Sequence, residues 1–344
     1  MTRVFVVDDS AFIRKALARV LNAEPGLSFV GEAANGAQAV ERIPAADPDL
    51  VTLDVAMPGM NGQEVLRTLL RWKPTLKVVM LSAHTQEGAE ASIEALTSGA
   101  VDFIDKTSFN VMDLDTLRRE VLEKLRIWGP KAVDGADSRN GVKVTPAAQA
   151  ANLKKAASCE LCVIGASTGG PIALQRILEA TPASFPLPIV IVQHMPPGFT
   201  GPFAARLDRL SRLQVGEAAE GDQLRPGRAL VAPAGRHLRI TSSLTVELTD
   251  QPADAKHVPS VDVTMKSAAE ARPGAVLGIL LTGMGQDGAE GMVKIRKSGG
   301  LTLGESEASC VVYGMSRAAE HKGGVDSMLP LPEIVSFLEA IAAK

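Results

Sequence analysis

The chain has 344 residues, 46% of them hydrophobic and 22% charged, with a formal net charge of −3. That length accommodates about two domains with sizeable cores, and the near-balanced, interspersed charge argues against nucleic acid or an anionic membrane as the main partner. Three cysteines are too few for a disulfide framework, Asp8 and Asp9 come too early for a signal peptide, and no apolar run reaches membrane-helix length. A cytoplasmic protein without direct membrane insertion is expected.

In the first half, apolar runs at 4–7, 50–53, 78–81 and 101–104 predict strands. Between the first runs, Ala11, Ile13, Ala16, Leu17, Val20 and Leu21 recur at helical spacing. Five βα units imply a doubly wound parallel sheet. Acidic residues gather at predicted strand ends: Asp8 and Asp9 after the first, Asp54 after the third. In an open parallel sheet those ends share one crevice, where three carboxylates repel unless a hard cation such as Mg²⁺ offsets them. Ser82 and Lys106, after the fourth and fifth strands, add a hydroxyl and an ammonium to the same rim, a surround suited to a phosphoryl group. Helix capping explains the aspartates singly but not five such residues at four strand ends.

Residues 129–158 lack aromatic residues and sustained apolar periodicity, and read as a flexible linker between domains at 1–128 and 159–344. The second half again alternates, with strands at 161–164, 187–192 and 275–281, each followed by a helical pattern, so a second doubly wound, three-layer α/β domain is expected. Ala229-Leu230-Val231 and His237-Leu238-Arg239-Ile240 predict an antiparallel insertion at about 214–248. Cys159 and Cys162 enter a strand and read as buried thiols, not a redox pair.

Gly165-Ala166-Ser167-Thr168-Gly169 fits the turn in which small neighbours display a nucleophilic hydroxyl at the end of a strand, and Pro171 then opens a helix. A dinucleotide cradle needs glycine where Ser167 stands, and the phosphate-loop lysine is absent. A serine needs a base, and the base an orienting acid. Of five histidines, His84 belongs to the first half, His321 trails a helix and His237 lies in a predicted hairpin. His194, directly after the 187–192 strand, and His257, in a loop able to approach the crevice, remain. Asp287 follows the 275–281 strand within a glycine-rich loop. Ser167, His194 and Asp287 thus fall at three strand ends, in a chain order unlike that of α/β-hydrolases. Backbone N–H groups of Gly283-Met284-Gly285, or around Thr168, are the candidates to receive an oxyanion.

Residues 2–127 resemble a two-component receiver domain, through Val6-Val7-Asp8-Asp9-Ser10, Leu53-Asp54-Val55-Ala56-Met57-Pro58-Gly59-Met60-Asn61-Gly62, Ser82-Ala83 and Asp105-Lys106. The resemblance implies a flavodoxin-like fold, Asp54 as phosphoacceptor, Asp8, Asp9 and Asp54 around Mg²⁺, and Ser82 and Lys106 as readers of the phosphoryl group. Ala56 and Thr107 depart from the acidic residue and proline usual in that family.

Residues 158–342 resemble the catalytic domain of chemotaxis protein-glutamate methylesterases, the CheB family. The carriers are Gly165-Ala166-Ser167-Thr168-Gly169-Gly170-Pro171, Gln193-His194-Met195-Pro196-Pro197-Gly198-Phe199-Thr200, Pro259-Ser260-Val261-Asp262, Gly283-Met284-Gly285-Gln286-Asp287-Gly288 and Val312-Tyr313-Gly314-Met315. This implies Ser167 as nucleophile, His194 as base and Asp287 as orienter, with the Met284 N–H and the Thr168 hydroxyl in support and no cofactor in the catalytic domain. Leu303-Gly304-Glu305-Ser306-Glu307 and Ser316 depart from the usual Gln-Asp-Glu and proline. The implied reaction is hydrolysis of glutamate methyl esters on chemoreceptors, releasing methanol, with glutamine deamidation beside it. A chemotaxis histidine kinase is the implied phosphodonor, with phosphorylation shifting how the receiver covers the catalytic face. A generic serine esterase under receiver control and a non-enzymatic interaction module are the rival readings.

Overall fold

The structure, a computed structural model, describes residues 1–82, 85–106, 114–129 and 146–343. The chain divides into two compact units, Met1–Ala136 and Asp137–Lys344. His84 and Thr107 lie outside the described residues.

The first unit alternates β1 (Thr2–Val7), α1 (Ala11–Asn22), β2 (Leu27–Ala33), α2 (Gly36–Ala46), β3 (Leu50–Asp54), α3 (Gly62–Trp72), β4 (Lys77–Ser82), α4 (Gln86–Thr97), β5 (Asp102–Asp105) and α5 (Leu114–Trp128). Every pairing is parallel, in the order β2-β1-β3-β4-β5. Val4, Val6, Leu50, Val79 and Leu81 pack with Leu17 and Leu21 of α1 and Val121 and Leu125 of α5. The intervening Phe5, Val7, Val51 and Leu53 are equally buried. Both faces are therefore covered, which is why these strands read as unbroken apolar runs. The strand order reverses between β1 and β3, opening a crevice at their C-terminal ends. Gly62 lets α3 start against that edge, since a Cβ there would fall 2.2 Å from the Asp54 carbonyl oxygen.

The second unit runs α6 (Pro146–Ala156), β6 (Leu161–Ala166), α7 (Gly170–Ala180), β7 (Ile189–Gln193), α8 (Thr200–Leu210), β8 (Gln214–Glu217), β9 (Arg228–Val231), β10 (His237–Ile240), β11 (Val246–Thr249), α9 (Val261–Ala271), β12 (Val276–Leu280), α10 (Ala289–Lys297), β13 (Leu301–Glu305), α11 (Met315–His321), β14 (Ser327–Leu329) and α12 (Leu331–Ala342). Its main sheet is parallel in the order β14-β13-β12-β6-β7-β9-β8. After β6 the chain moves to β7 on one side, and after β12 to β13 on the other, so the switch point lies between β6 and β12.

Two expectations change. The antiparallel element is smaller than 214–248: among the described strands only β10 and β11 pair antiparallel, with one isolated antiparallel bridge from Gln223 to Thr245, while β8 and β9 extend the parallel sheet. Ala229, Leu230 and Val231 are all buried, as a strand covered on both faces requires. Part of the stretch expected as linker is folded as α6, with Lys155 bonded to Asp326 at 3.0 Å and Asn152 to Ser327 at 2.9 Å. Its alanines and lysines favour helix without producing an apolar stripe. Residues 130–145 of that stretch lie outside the described residues.

Candidate active site and acidic pocket

In the first unit, Asp8 and Asp54 are buried and Asp9 is exposed. Oxygens of the three lie within 4.8 Å of one another. Lys106 Nζ reaches Asp8 Oδ2 at 2.8 Å and Asp54 Oδ2 at 2.6 Å. The remaining oxygens take backbone N–H groups, Ser10 to Asp8 at 2.9 Å and Ala56 to Asp54 at 3.2 Å. Burial pushes the Asp54 carboxyl up to about 6, against the opposing pull of Lys106. Ser82 is buried and its hydroxyl donates to the Gly88 carbonyl at 3.0 Å. Three convergent carboxylates, one open to solvent, form a donor set suited to a hard divalent cation.

In the second unit the parallel register pairs Ala166 with Gln193, so Ser167 and His194 are the next residues along adjacent strand ends. The His194 N–H donates to the Ala166 carbonyl at 3.1 Å. Gln193 stitches the two loops together, its Nε2 donating to the Ser167 carbonyl at 2.9 Å and the His194 carbonyl at 3.0 Å. Gly169 adopts φ +80 and Gly170 opens α7 against Gln193, where a Cβ would lie 2.1 Å from Oε1. The glycines at this turn are thus required by geometry.

His194 Nε2 meets Asp287 Oδ2 at 2.8 Å. Asp287 also accepts the Ser260 hydroxyl at 2.8 Å and the N–H groups of Val261 at 2.7 Å and Asp262 at 3.0 Å. The carboxylate therefore sits on the N-terminus of α9, where the helix dipole favours a negative charge. Burial pushes its pKa up, but His194 and these N–H groups outweigh burial and hold it at about 2. An ionised Asp287 fixes the proton of a neutral His194 on Nε2, leaving the lone pair on Nδ1, which is buried and without a hydrogen-bond partner among the described residues. The nitrogen free for chemistry is thus Nδ1. Among the described residues the Ser167 hydroxyl makes no hydrogen bond.

His257, the other candidate base, stacks on His194 with ring centroids 4.2 Å apart and planes 13° apart. Burial and the neighbouring His194 push its pKa down to about 4, so it stays neutral near pH 7. His237 is buried and serves the scaffold: Nδ1 accepts the Ser260 N–H at 3.1 Å and Nε2 donates to the Pro252 carbonyl at 3.2 Å.

Of the candidate oxyanion donors, Gly283 N–H is committed to the Val312 carbonyl at 3.1 Å. The N–H groups of Met284 and Thr168 donate to no described acceptor, and Met284 is exposed. Beneath the loop, Thr282 accepts the Ser167 N–H at 3.0 Å and donates its hydroxyl to the Thr168 carbonyl at 2.9 Å. Thr282 N–H in turn donates to buried Glu305 at 2.8 Å. Ser316 donates to the Leu280 carbonyl at 2.9 Å, tying α11 to the end of β12. Both departures from the family pattern thus belong to the floor of the site.

Ser260, His237, Gln193, Thr282 and Glu305 had no assigned role from sequence. Their signal is partial: Gln193 and Ser260 lie within the motifs that carry the resemblance, whereas Thr282 and Glu305 act through backbone groups that spacing does not reveal. Cys159 and Cys162 are buried, as expected.

A family model described as CheB methylesterase matches residues 162–338, and one for the response regulator receiver domain matches 4–118. Protein-glutamate methylesterase/protein-glutamine glutaminase 1 of Oleidesulfovibrio alaskensis is 41% identical over 364 residues, covering 98% of both chains. Protein-glutamate methylesterase/protein-glutamine glutaminase 2 of Vibrio vulnificus is 42% identical over 341 residues, covering 98% of this chain and 97% of its own. The crystal structure of the Thermotoga maritima CheB methylesterase catalytic domain matches with a TM-score of 0.51 and 39% identity, covering 53% of this chain and 98% of that one. With relatives this similar over nearly the full length, the chain belongs to the CheB methylesterase family, with a response regulator receiver domain preceding its catalytic domain.

Proposed function

We propose that this chain is a receiver-regulated protein-glutamate methylesterase and protein-glutamine glutaminase acting on chemoreceptors. The observation that carries the reading is the Asp287-bound His194, whose buried Nδ1 is unpartnered at the strand end beside Ser167. Nδ1 takes the Ser167 proton as Oγ attacks the ester carbonyl. The tetrahedral oxyanion is held by the Met284 N–H with support from Thr168, an interaction that typically contributes about 10²–10³ in kcat. His194 returns the proton to the departing methoxide, releasing methanol and leaving an acyl-serine. Water, deprotonated by His194, then breaks the acyl bond and restores Ser167. For glutamine the same cycle expels ammonia, which requires His194 to protonate the amine before it leaves. A neutral His257 stacked on the ring adds no like charge when His194 becomes imidazolium.

In the receiver, Asp54 is the phosphoacceptor for a chemotaxis histidine kinase. Asp8, Asp9 and Asp54 would hold Mg²⁺, which supplies charge neutralisation for a transferring phosphoryl group. Lys106 pairs with the phosphoryl oxygens once Asp54 is modified, and Ser82 supplies a hydroxyl; the change of charge at Asp54 controls access to Ser167. The deciding experiment is methanol release from methylated chemoreceptor membranes with and without a small phosphodonor. Wild type is expected to release methanol faster with the donor, Asp54→Ala to lose that increment, and Ser167→Ala to release none. Equal release by wild type and Ser167→Ala refutes the enzyme reading.

A further inference from the structure

A groove of about 680 Å³ runs beside Asp287, its lining joining His257, Ser260 and Asp287 to Lys256, Lys266 and Arg317. Lys256 precedes α9, Lys266 lies on α9 and Arg317 on α11, and all three are exposed. None of the three is ion-paired with a described carboxylate. The acidic groups that line the groove, Asp262 and Asp287, are already engaged, and the exposed Asp254 lies outside its lining. Asp287 is held by His194 and the start of α9. Asp262, whose pKa burial raises, accepts the Gly291 N–H at 2.7 Å and makes no ion pair with a described cation, though it feels the fields of Asp287, Lys266 and Glu290. On the surrounding helices Glu290 pairs with Lys322, Glu270 with Lys294, and Glu320 accepts the Tyr313 hydroxyl. His321 also lines the groove.

The uncommitted charge along the groove is therefore positive, whereas the chain as a whole carries −3. A glutamyl methyl ester is itself neutral, so it offers these cations nothing. We propose that the groove binds an acidic stretch of the substrate polypeptide flanking the ester, with Lys256, Lys266 and Arg317 as specificity-determining counter-charges. This rests on the esterase reading above and adds to it a rule of selection: glutamyl esters embedded among carboxylates are preferred.

The test uses the full-length chain and two synthetic peptides, each bearing one γ-methyl glutamate, flanked by glutamates in one and glutamines in the other. In wild type the glutamate-flanked peptide should have the lower KM, and salt should raise it toward that of the glutamine-flanked peptide. The triple variant Lys256→Gln, Lys266→Gln, Arg317→Gln should lose about tenfold in kcat/KM on the first peptide, through KM, and little on the second. Hydrolysis of p-nitrophenyl acetate by that variant should stay at the wild-type level, showing an intact triad. Equal losses on both peptides, or no preference in wild type, overturn the proposal. Binding of the same peptides to Ser167→Ala, followed by fluorescence anisotropy, separates the two readings. Charge-dependent binding without Ser167-dependent turnover in wild type would sink the esterase and leave the groove, and turnover without charge-dependent binding would do the reverse.

Discussion

At the scale of single residues, the site is organised around one carboxylate. Asp287→Asn keeps the shape but removes the charge that holds the Nε2 proton on His194, so kcat should fall by about 10³–10⁴ with KM little changed, measured on a methyl ester. The same residues set the acid limb of stability. His257 has a folded pKa of about 4, below its ordinary 6.5, so the unfolded chain binds more protons in that window and stability falls as pH drops through it. Allowing for its partial exposure, the loss is about 1 kcal/mol. Asp287, lowered from 3.8 to about 2, contributes stability that is present above its unfolded value and lost as pH falls through that lower window. Chemical denaturation between pH 7 and 3 should show the first loss in wild type and its absence in His257→Gln. Glu305 has the opposite sign: burial raises its pKa, so its ionisation costs stability as pH rises. Glu305→Gln, whose carbonyl can still accept from Thr282 and whose amide can reach Ser309, should be about 1 kcal/mol more stable than wild type at pH 8 and equal to it at pH 4. A flat difference across that range would show that Glu305 ionises in the folded protein as it does in the unfolded chain.

At the scale of elements, the start of α9 does two jobs. Ser260 accepts the Val263 N–H as helix cap and donates to Asp287, while His237 holds its backbone from the hairpin strand β10. Ser260→Ala should lower stability by about 1 kcal/mol through the lost cap. It should also cut kcat by roughly tenfold, through one lost hydrogen bond to a charged group. A stability loss without a kcat loss would make Ser260 a cap only. This layer is where sequence reading stopped. The placement of Ser167, His194 and Asp287 at strand ends was legible because doubly buried parallel strands announce themselves as apolar runs, and the residues just beyond their C-terminal ends share a crevice. The partners of Asp287 at the start of α9 were not, since two of them are backbone amides, of Val261 and Asp262, and the third, the Ser260 hydroxyl, lies 27 residues away in the chain with no periodic relation to it. The place of β9 in the parallel sheet was equally hidden, because a four-residue strand states its burial but not its neighbour.

At the scale of the whole molecule, each unit closes its own apolar core around its own sheet, one through Val4, Leu50 and Leu125 and the other through Val163, Val190 and Met265. Helix α6 lies within the stretch that composition assigns to a linker, yet Lys155 pairs with Asp326, which also binds Arg296 at 2.9 Å and the Thr302 N–H at 3.0 Å. Leu153 and Ala156 line an apolar recess with Cys159, Leu187 and Ile341. By these contacts, a fragment starting at residue 146 is the natural unit and one starting at 159 is truncated. Removing α6 exposes that recess and takes one partner from Asp326, a loss of about 2 kcal/mol, or roughly 4–8 °C in Tm for a domain of this size. Calorimetry of fragments 146–344 and 159–344 should show that difference, with both hydrolysing p-nitrophenyl acetate at 20 °C because α6 contributes no residue to the proposed triad. Equal Tm values would return α6 to the linker.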